Sequence, residues 1–331
     1  MRIAVDAFGG DNAPDEAIKG AVWAAVEYGV DIILTGDKDK LEERLSALSL
    51  AGGNIKIVDA DGVIQIEDNP LDIRKEKAGT SMGKAFQLLA SGQADAFVSA
   101  GSTAALVVGG TMIAGRIKGV KRPALAPIMP STKGFYMLLD GGANLDCRPE
   151  MLLQFAVLGS VYMQKIMNIN NPRVGLLNIG TEDKKGRELE LLALDLMRSA
   201  PINFIGNVEG RDPILGGCDV AVTDGFTGNV YLKAVEGMGG FIKHGMEGIF
   251  NTDLTTKLGY LFSKKGIKNF AKTMDYKEVG GSPLLGCKSA VIKAHGSSDS
   301  RAFKNAIRQA RDFIERGVVF EMEKSLQEVK N

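Results

Sequence analysis

Histidine is nearly absent from this chain of 331 residues. The two present, His244 and His295, share no local spacing with other metal-ligating side chains. A histidine-rich metal centre is therefore not expected. Cysteine is almost as scarce. Cys147, Cys218 and Cys287 stand far apart, so buried or free thiols in a reducing cytoplasm are expected rather than a disulfide framework or a zinc ribbon. Net charge is missing too: 40 Lys and Arg balance 40 Asp and Glu. That argues against a bulk nucleic-acid binder, and any anionic partner must be met by a local patch. The chain has no G-x-G-x-x-G fingerprint with an acidic residue at the ribose position, so no dinucleotide cofactor is expected. No basic segment with an apolar core opens it; Met1-Arg2-Ile3-Ala4-Val5 reads directly as a strand. One uncharged stretch, Ala96 to Gly115, imitates a membrane span. Ser99, Gly101, Ser102, Thr103, Gly109, Gly110 and Thr111 interrupt it, and it reads as a buried strand, a turn and a buried helix.

What is present is an ordinary globular composition, 45% hydrophobic and 24% charged, arranged as repeated strand–loop–helix units. Strands are predicted at Ile3–Ala7, Ile32–Thr35, Ile55–Ala60, Ala94–Ser99, Ala124–Ile128, Tyr136–Leu139, Val174–Ile179, Asn203–Val208, Asp219–Thr223 and Ala290–Lys293. The pair flanking residues 129–134 is joined too briefly for a crossover helix and is predicted to be an antiparallel hairpin in an otherwise parallel sheet. Pro14 suits the first turn of a helix striped by Ile18, Ala21, Val22 and Ala25. The last helix carries Phe303, Ala306, Ile307, Ala310, Phe313 and Ile314 on one face. The expected fold is a single three-layer α/β/α unit over residues 1–331 with a mostly parallel sheet.

Three glycine-punctuated polar stretches follow predicted strands: Gly180-Thr181-Glu182-Asp183-Lys184-Lys185-Gly186, Thr223-Asp224-Gly225-Phe226-Thr227-Gly228-Asn229 and Lys293-Ala294-His295-Gly296-Ser297-Ser298-Asp299. In an open parallel sheet such loops gather at the carboxyl ends of the strands, where ligands bind. They offer lysine, histidine, carboxylate, amide and unhindered N–H groups, which suits holding an anion and moving a group onto it. Lys184 and Lys185 also fit a solvated pair, and His295 a structural histidine; His244, on a helix with Phe241 and Met246, reads as structural. Asp6-Ala7-Phe8-Gly9-Gly10-Asp11 reads as a substrate or phosphate loop, with Asp11 as a helix cap the alternative. Gly101, Ser102 and Thr103 pass from strand to helix and offer N–H groups and hydroxyls to a phosphate, or plain N-caps.

Residues 251–277 are predicted to form a protruding amphipathic helical hairpin. Leu254, Leu258, Leu261 and Phe262 share one helical face, and Ile267, Phe270 and Met274 continue the apolar set. Lys257, Lys264, Lys265, Lys268, Lys272 and Lys277 are interleaved with them. Gly259 and Gly266 weaken one long helix, so two short ones are expected. Such a tip fits either a partner subunit or the headgroup region of an anionic membrane, and a dimer would present two tips.

Seven stretches resemble, in order and from end to end, the bacterial phosphate acyltransferase of the PlsX type. They are Val5 to Asp11, Ser99 to Thr103, Arg122 to Pro127, Asn178 to Gly186, Asn203 to Glu209, Thr223 to Asn229 and Ile292 to Asp299. The sequence departs from the family's common residues at Phe8, Asn12, Ser102, Ala105 and Gly142, none of them in the lysine, asparagine or histidine loops. The resemblance implies an isopropylmalate-dehydrogenase-like fold, a homodimer, and peripheral association with the inner face of the cell membrane. It implies acyl transfer from acyl-[acyl carrier protein] to inorganic phosphate, giving acyl phosphate for phospholipid synthesis, with the downstream glycerol-phosphate acyltransferase as a candidate partner at the membrane. The lack of clustered ligands and of a dinucleotide fingerprint leads us to expect no metal or cofactor.

Those residues suit that chemistry. Phosphate is already an anionic nucleophile, so alignment alone supplies roughly 7 kcal/mol or more, and one oxyanion donor about 3 kcal/mol. Lys184 is expected to bind the phosphate or oxyanion charge, Asn229 to donate to the oxyanion, and His295 to donate to phosphate or protonate the departing sulfur. Thr181, Asp183, Asp224 and Thr227 are expected to orient them. Arg116, Lys118, Lys121 and Arg122 form a basic cluster for an acidic carrier protein. A coenzyme-A-dependent phosphate acetyl- or butyryltransferase shares this logic, a lipid-surface scaffold would need only the lysine tip, and a dehydrogenase lacks its cofactor motif.

Overall fold

The computed structural model describes residues 1–48, 53–273 and 279–329. Among the described residues twelve strands and eleven α-helices are interspersed. The strands are β1 (Arg2–Asp6), β2 (Asp31–Gly36), β3 (Ile55–Asp59), β4 (Ala96–Ser99), β5 (Ala124–Leu125), β6 (Ile128–Ser131), β7 (Gly134–Leu139), β8 (Val174–Asn178), β9 (Phe204–Glu209), β10 (Val220–Val222), β11 (Ser282–Leu285) and β12 (Ala290–Lys293). The helices are α1 (Asp15–Tyr28), α2 (Lys38–Ser46), α3 (Ser81–Ala90), α4 (Thr103–Gly109), α5 (Pro149–Lys165), α6 (Glu188–Arg198), α7 (Arg211–Ile214), α8 (Gly225–Asn251), α9 (Leu254–Thr273), α10 (Ser300–Glu315) and α11 (Val318–Glu328).

The sheet is mostly parallel, as expected, but the strands divide between two sheets. A seven-stranded sheet has the order β3-β2-β1-β4-β12-β11-β5, and a five-stranded one β6-β7-β10-β8-β9. Among the described residues the antiparallel pairs are β11 with β12 and with β5 in the first sheet, and β6 with β7 in the second. The predicted hairpin is β6–β7, with Ile128 opposite Met137 and Ser131 opposite Gly134. The predicted strand Ala124–Ile128 is in fact two strands in different sheets, separated at Ala126 and Pro127. Pro127 has no N–H to continue a ladder, although its carbonyl still accepts from Leu138 N at 3.0 Å. Strand β11 was not predicted: Gly280, Gly281 and Pro283 disguise it, and a proline is tolerated there because the pairing is antiparallel and short.

Burial explains the layers. Ile3, Ala4 and Val5 of β1 and Ala96, Phe97 and Val98 of β4 are fully buried, as strands covered on both faces must be. Helix α10 buries the predicted stripe Phe303, Ala306, Ile307, Ala310 and Phe313. It packs on α1, where a Cβ at Gly20 would stand 2.5 Å from the Phe303 Cβ; only glycine lets the two helices approach so closely. The uncharged stretch becomes β4, α4 and a π-helical turn, as read, and Cys147, Cys218 and Cys287 are buried free thiols. Among the described residues no helix is long and apolar enough to cross a membrane.

The two sheets are joined by a buried carboxylate. Asp140, at the end of β7, accepts from the backbone N–H of Leu125, Gly142, Ala143 and Asn144 and from Asn144 Nδ2, at 2.7–3.1 Å. Leu125 belongs to the first sheet and Asp140 to the second. Gly141 N returns the link by donating to the Leu125 carbonyl at 2.8 Å.

The amphipathic arm differs from the expectation. Helix α9 is continuous through Gly259 and Gly266, so Leu254–Thr273 is one helix and not two short ones. The hairpin is α8 against α9, and its bend is at Thr252 and Asp253. Asp253 caps α9, accepting from Thr256 N at 2.8 Å and Thr255 Oγ1 at 2.7 Å. A ring contact of 5.4 Å between Phe250 and Tyr260 joins the helices near that bend, which helps α9 tolerate its glycines. Leu258, Leu261 and Phe262 are exposed, Phe262 by 89%. Met274 and Lys277 lie outside the described residues, as do the side chains of Leu254, Lys268 and Lys272.

Asp140→Ala would leave five buried donors without their acceptor. Urea unfolding is expected to show a loss of about 3–5 kcal/mol, and a loss under about 1 kcal/mol would show that the two sheets do not depend on this carboxylate.

Candidate active site

On the first sheet, three loops interlock at the carboxyl ends of β1, β4 and β12. Asp6 is fully buried and accepts from Ser99 Oγ at 2.7 Å and Phe8 N at 3.2 Å, and Ser99 Oγ accepts from Gly101 N at 2.9 Å. Burial pushes the Asp6 carboxyl up from its ordinary value, and these hydrogen bonds pull against it. A Cβ at Gly9 would stand 2.6 Å from Gly101 N, and Gly10 combines φ +100 with a would-be Cβ 2.9 Å from the Gly296 carbonyl. Asp11 N donates to that carbonyl at 2.8 Å. Asp11 therefore does not cap α1, whose N-cap position is Pro14. Ser102 caps α4 through Ala105 N at 3.5 Å and is buried. Asp6, Gly9, Gly10, Gly101 and Ser102 are thus packed together, but none of them lines the cleft into which Thr103 reaches.

Two side chains of the β12 loop reach the cleft. Lys293 pairs with Ser99 in the strand register, and its Nζ donates to the carbonyls of Ala100 at 2.9 Å and Ala294 at 2.6 Å. Burial pulls its ammonium down from 10.5 to about 8, against the attraction of Asp6 and Asp11. The sequence reading named Lys293 only as a neighbour of His295. Its strand-end position before a Gly/Ser loop was the available signal, but an alternating strand pattern cannot say that a lysine turns inward. His295 Nδ1 lies 2.9 Å from Ser297 Oγ and accepts from Ser297 N at 3.3 Å. That bond leaves the proton of the neutral ring on Nε2. Desolvation lowers the imidazole's affinity for a second proton, Lys293 and Lys233 add to the effect, and Glu236 opposes it. With Nδ1 accepting and burial disfavouring a second proton, the ring presents an Nε2–H donor.

On the second sheet, α8 begins at the end of β10 rather than after a loop, so Asn229 stands on its first turns. Buried Asp224 is its N-cap, accepting from Thr227 N at 2.7 Å and Thr227 Oγ1 at 3.1 Å. The helix start presses on the Asp140 loop. A Cβ at Gly228 would be 1.9 Å from the Asp140 carbonyl oxygen, and one at Gly225 would be 2.5 Å from that of Asn144. The Asn229 side chain consequently rests against Gly142, whose φ is +127. Lys233 and Glu236, one and two turns on, follow on the same face and pair at 2.8 Å.

Asn229, Lys233, Glu236, Lys293 and His295 all line one cleft of 2720 Å³. Its walls continue along α8 and α9 through Leu232, Val235, Ile242, Met246, Phe250, Ile267 and Phe270. Arg116, Lys121 and Arg122 stand exposed at its rim, without Lys118. The third loop is not gathered in. Thr181, Asp183 and Lys184 are exposed at the end of β8 and do not line the cleft. That loop is tied down by Asn178 Nδ2 to the Lys185 carbonyl and Asn207 Nδ2 to the Glu182 carbonyl, each at 3.0 Å, while Asp183 pairs with Arg198. Among the described residues no group of three or more His, Cys, Asp or Glu side chains could hold a metal ion.

A model of the fatty acid synthesis protein family matches residues 1–321. The chain is 45% identical to a phosphate acyltransferase of Thermoanaerobacterium thermosaccharolyticum, covering 99% of this chain and 97% of the relative. It is 46% identical to a phosphate acyltransferase of Pelotomaculum thermopropionicum, covering 100% and 96%. Among solved structures it resembles a phosphotransacetylase from Streptococcus pyogenes, with a TM-score of 0.61 and 16% identity over 99% of this chain and 94% of the other. It likewise resembles a branched-chain phosphotransacylase from Enterococcus faecalis, with a TM-score of 0.56 and 14% identity over 94% and 98%. At those identities the likeness is one of fold.

Heteronuclear NMR of lysine ammonium groups is expected to find one, absent from Lys293→Met, that titrates near 8. The cation is present at neutral pH and lost as pH rises through that value; titration at the ordinary lysine value would show that Nζ is not desolvated.

Proposed function

Since the chain belongs to the fatty acid synthesis protein family, whose curated relatives are phosphate acyltransferases, it is an acyltransferase, and we propose that it carries a long-chain fatty acyl group from acyl-[acyl carrier protein] to inorganic phosphate. The product is an acyl phosphate for phospholipid synthesis, consumed by a downstream glycerol-phosphate acyltransferase. One observation carries this reading: a single cleft joins a basic rim, a polar end and a long apolar wall. At 2720 Å³ it exceeds the roughly 300–1,000 Å³ usual for a small ligand. An acidic carrier protein fits the rim at Arg116, Lys121 and Arg122, and the apolar wall suits a fatty chain.

The reaction follows from charge. A phosphate oxygen forms a bond to the thioester carbon while the carbonyl electrons move onto oxygen. The oxyanion then collapses, the C–S bond breaks, and the pantetheine thiolate leaves to take a proton from solvent. The Lys293 ammonium and the His295 Nε2–H hold phosphate against the carbon, and the Asn229 amide donates to the oxyanion. Lys184, from the loop after β8, draws phosphate to the site. Thr181 and Asp183 shape that loop, Asp224 and Thr227 hold the start of α8, and Asp6, Gly9, Gly10, Gly101 and Ser102 fix the backbone behind Thr103, which lines the cleft. The enzyme acts without metal or nicotinamide, as a homodimer on the cytoplasmic face of the membrane. There the α9 face of Leu258, Leu261 and Phe262, flanked by Lys257, Lys264 and Lys265, meets anionic lipid.

Mass detection of acyl phosphate, after mixing protein, phosphate and long-chain acyl carrier protein, tests the reaction. Asn229→Ala is expected to lose about a hundredfold or more in turnover while remaining folded, and Lys184→Ala to lose most activity; near-normal turnover in both would remove their assignment. For the arm, an apolar side chain buried in the lipid interface contributes about 1.5–3 kcal/mol and each nearby lysine about 1 kcal/mol. Leu258→Glu is therefore expected to release the protein from anionic liposomes while sparing turnover on soluble substrate, and high salt to weaken binding only in part. If the variant still sediments with liposomes, or dissociates into inactive monomers, the arm is a dimer element.

A further inference from the structure

Arg187 stands at the junction of two parts of the site that the fold otherwise keeps separate. It is the N-cap residue of α6 and follows directly on the loop that carries Lys184. Its backbone N–H donates to Glu190 Oε2 at 2.7 Å and its Nε to both Glu190 oxygens at 3.1 Å. Its Nη2 donates to Glu190 Oε1 and also to Asp224 Oδ2. Glu190 and Asp224 are only 7% and 2% exposed, so two buried carboxylates share one guanidinium. Asp224 in turn holds the first turn of α8 through Thr227 N and Oγ1, two residues before Asn229. Gly186, at φ +104, keeps the link short: a Cβ there would lie 2.8 Å from the Glu190 Cβ and 2.9 Å from Asn178 Nδ2.

We infer that Arg187 is a positioning residue for the acyl transfer, fixing the start of α8, and with it the Asn229 amide, against the loop that carries Lys184. The inference rests on the reaction proposed above and adds to it a residue that neither lines the cleft nor was singled out in the sequence. Arg187 acts through Asp224. Without the guanidinium, two buried carboxylates lose their shared cation and repel each other, and the N-cap is drawn toward another partner. Lysine cannot replace it, because a compact ammonium lacks the planar fork that grips two carboxylates from one side. The consequence falls on geometry in the transition state, since Asn229 serves the oxyanion and not the resting substrate.

The test is a double-mutant cycle on the full chain, with acyl phosphate formation as readout and thermal melting as the check on folding. Arg187→Gln is expected to lower kcat by roughly a hundredfold, with KM for the acyl carrier protein changed by less than about threefold. In an Asn229→Ala background the same substitution is expected to cost less than about threefold more, because the amide it positions is already gone. Arg187→Lys keeps the charge and is expected to fold normally yet lose about tenfold in kcat; it carries the test should Arg187→Gln not fold. Losses that multiply independently, or variants with the wild-type kcat, overturn the positioning role. Wild-type protein that forms no acyl phosphate would overturn the reaction itself, and Arg187's role in it, and that outcome is read before any variant is made.

Discussion

The Asp140 carboxylate is the constraint on which the rest of the structure depends. A buried acceptor with five N–H donors organises everything within its reach, because a donor left unpaired away from water is costly. Here the donors come from both sheets, so satisfying one side chain sets the spacing of two β layers. It also folds residues 142–144 into the tight loop on which α8 sits. The Asn229 amide of the second sheet and the Lys293 and His295 side chains of the first therefore line one cleft whose width is set by hydrogen bonds, not by loop chance.

The polar residues of the site are divided into those that touch the cleft and those that hold them. Asp6 and Ser99 bond to each other across two loops, and Ser102 caps α4. Asp224 spends its bonds on a helix start and an arginine. Close backbone approach does the remaining work: with any larger residue at Gly225 or Gly228, the first turns of α8 could not lie against the Asp140 loop. Lys293 shows the price of such a site, since desolvation makes its ammonium easier to lose.

Much of this was legible in the sequence. Strand-then-helix alternation, the β6–β7 hairpin and the α10 stripe follow from local periodicity, and periodicity is a property of neighbours along the chain. Asn229 and His295 were legible because glycine-rich polar loops after strands gather where ligands bind. The division into two sheets was not, because strand pairing is non-local and Pro127 interrupts what reads as one apolar run. Arg187 and Lys293 were hidden for a related reason. One looks like a solvated charge and the other like the last residue of a strand until partners 37 or nearly 200 residues away are brought beside them. The bend of the arm was misplaced because two glycines look like helix breakers unless a second helix is there to pack against.

Helix α8 is at once the mount of the Asn229 amide in the cleft and the mast of the exposed arm, and mechanics follows from that. At 27 residues it is about 40 Å long, and Asn229 sits about 6 Å from its root. Swung about that root, it behaves as a rigid lever. A sideways sway of the far end reaches Asn229 reduced by roughly sixfold to sevenfold. The side chain nearest the pivot thus moves least, and the slack is left to the exposed end.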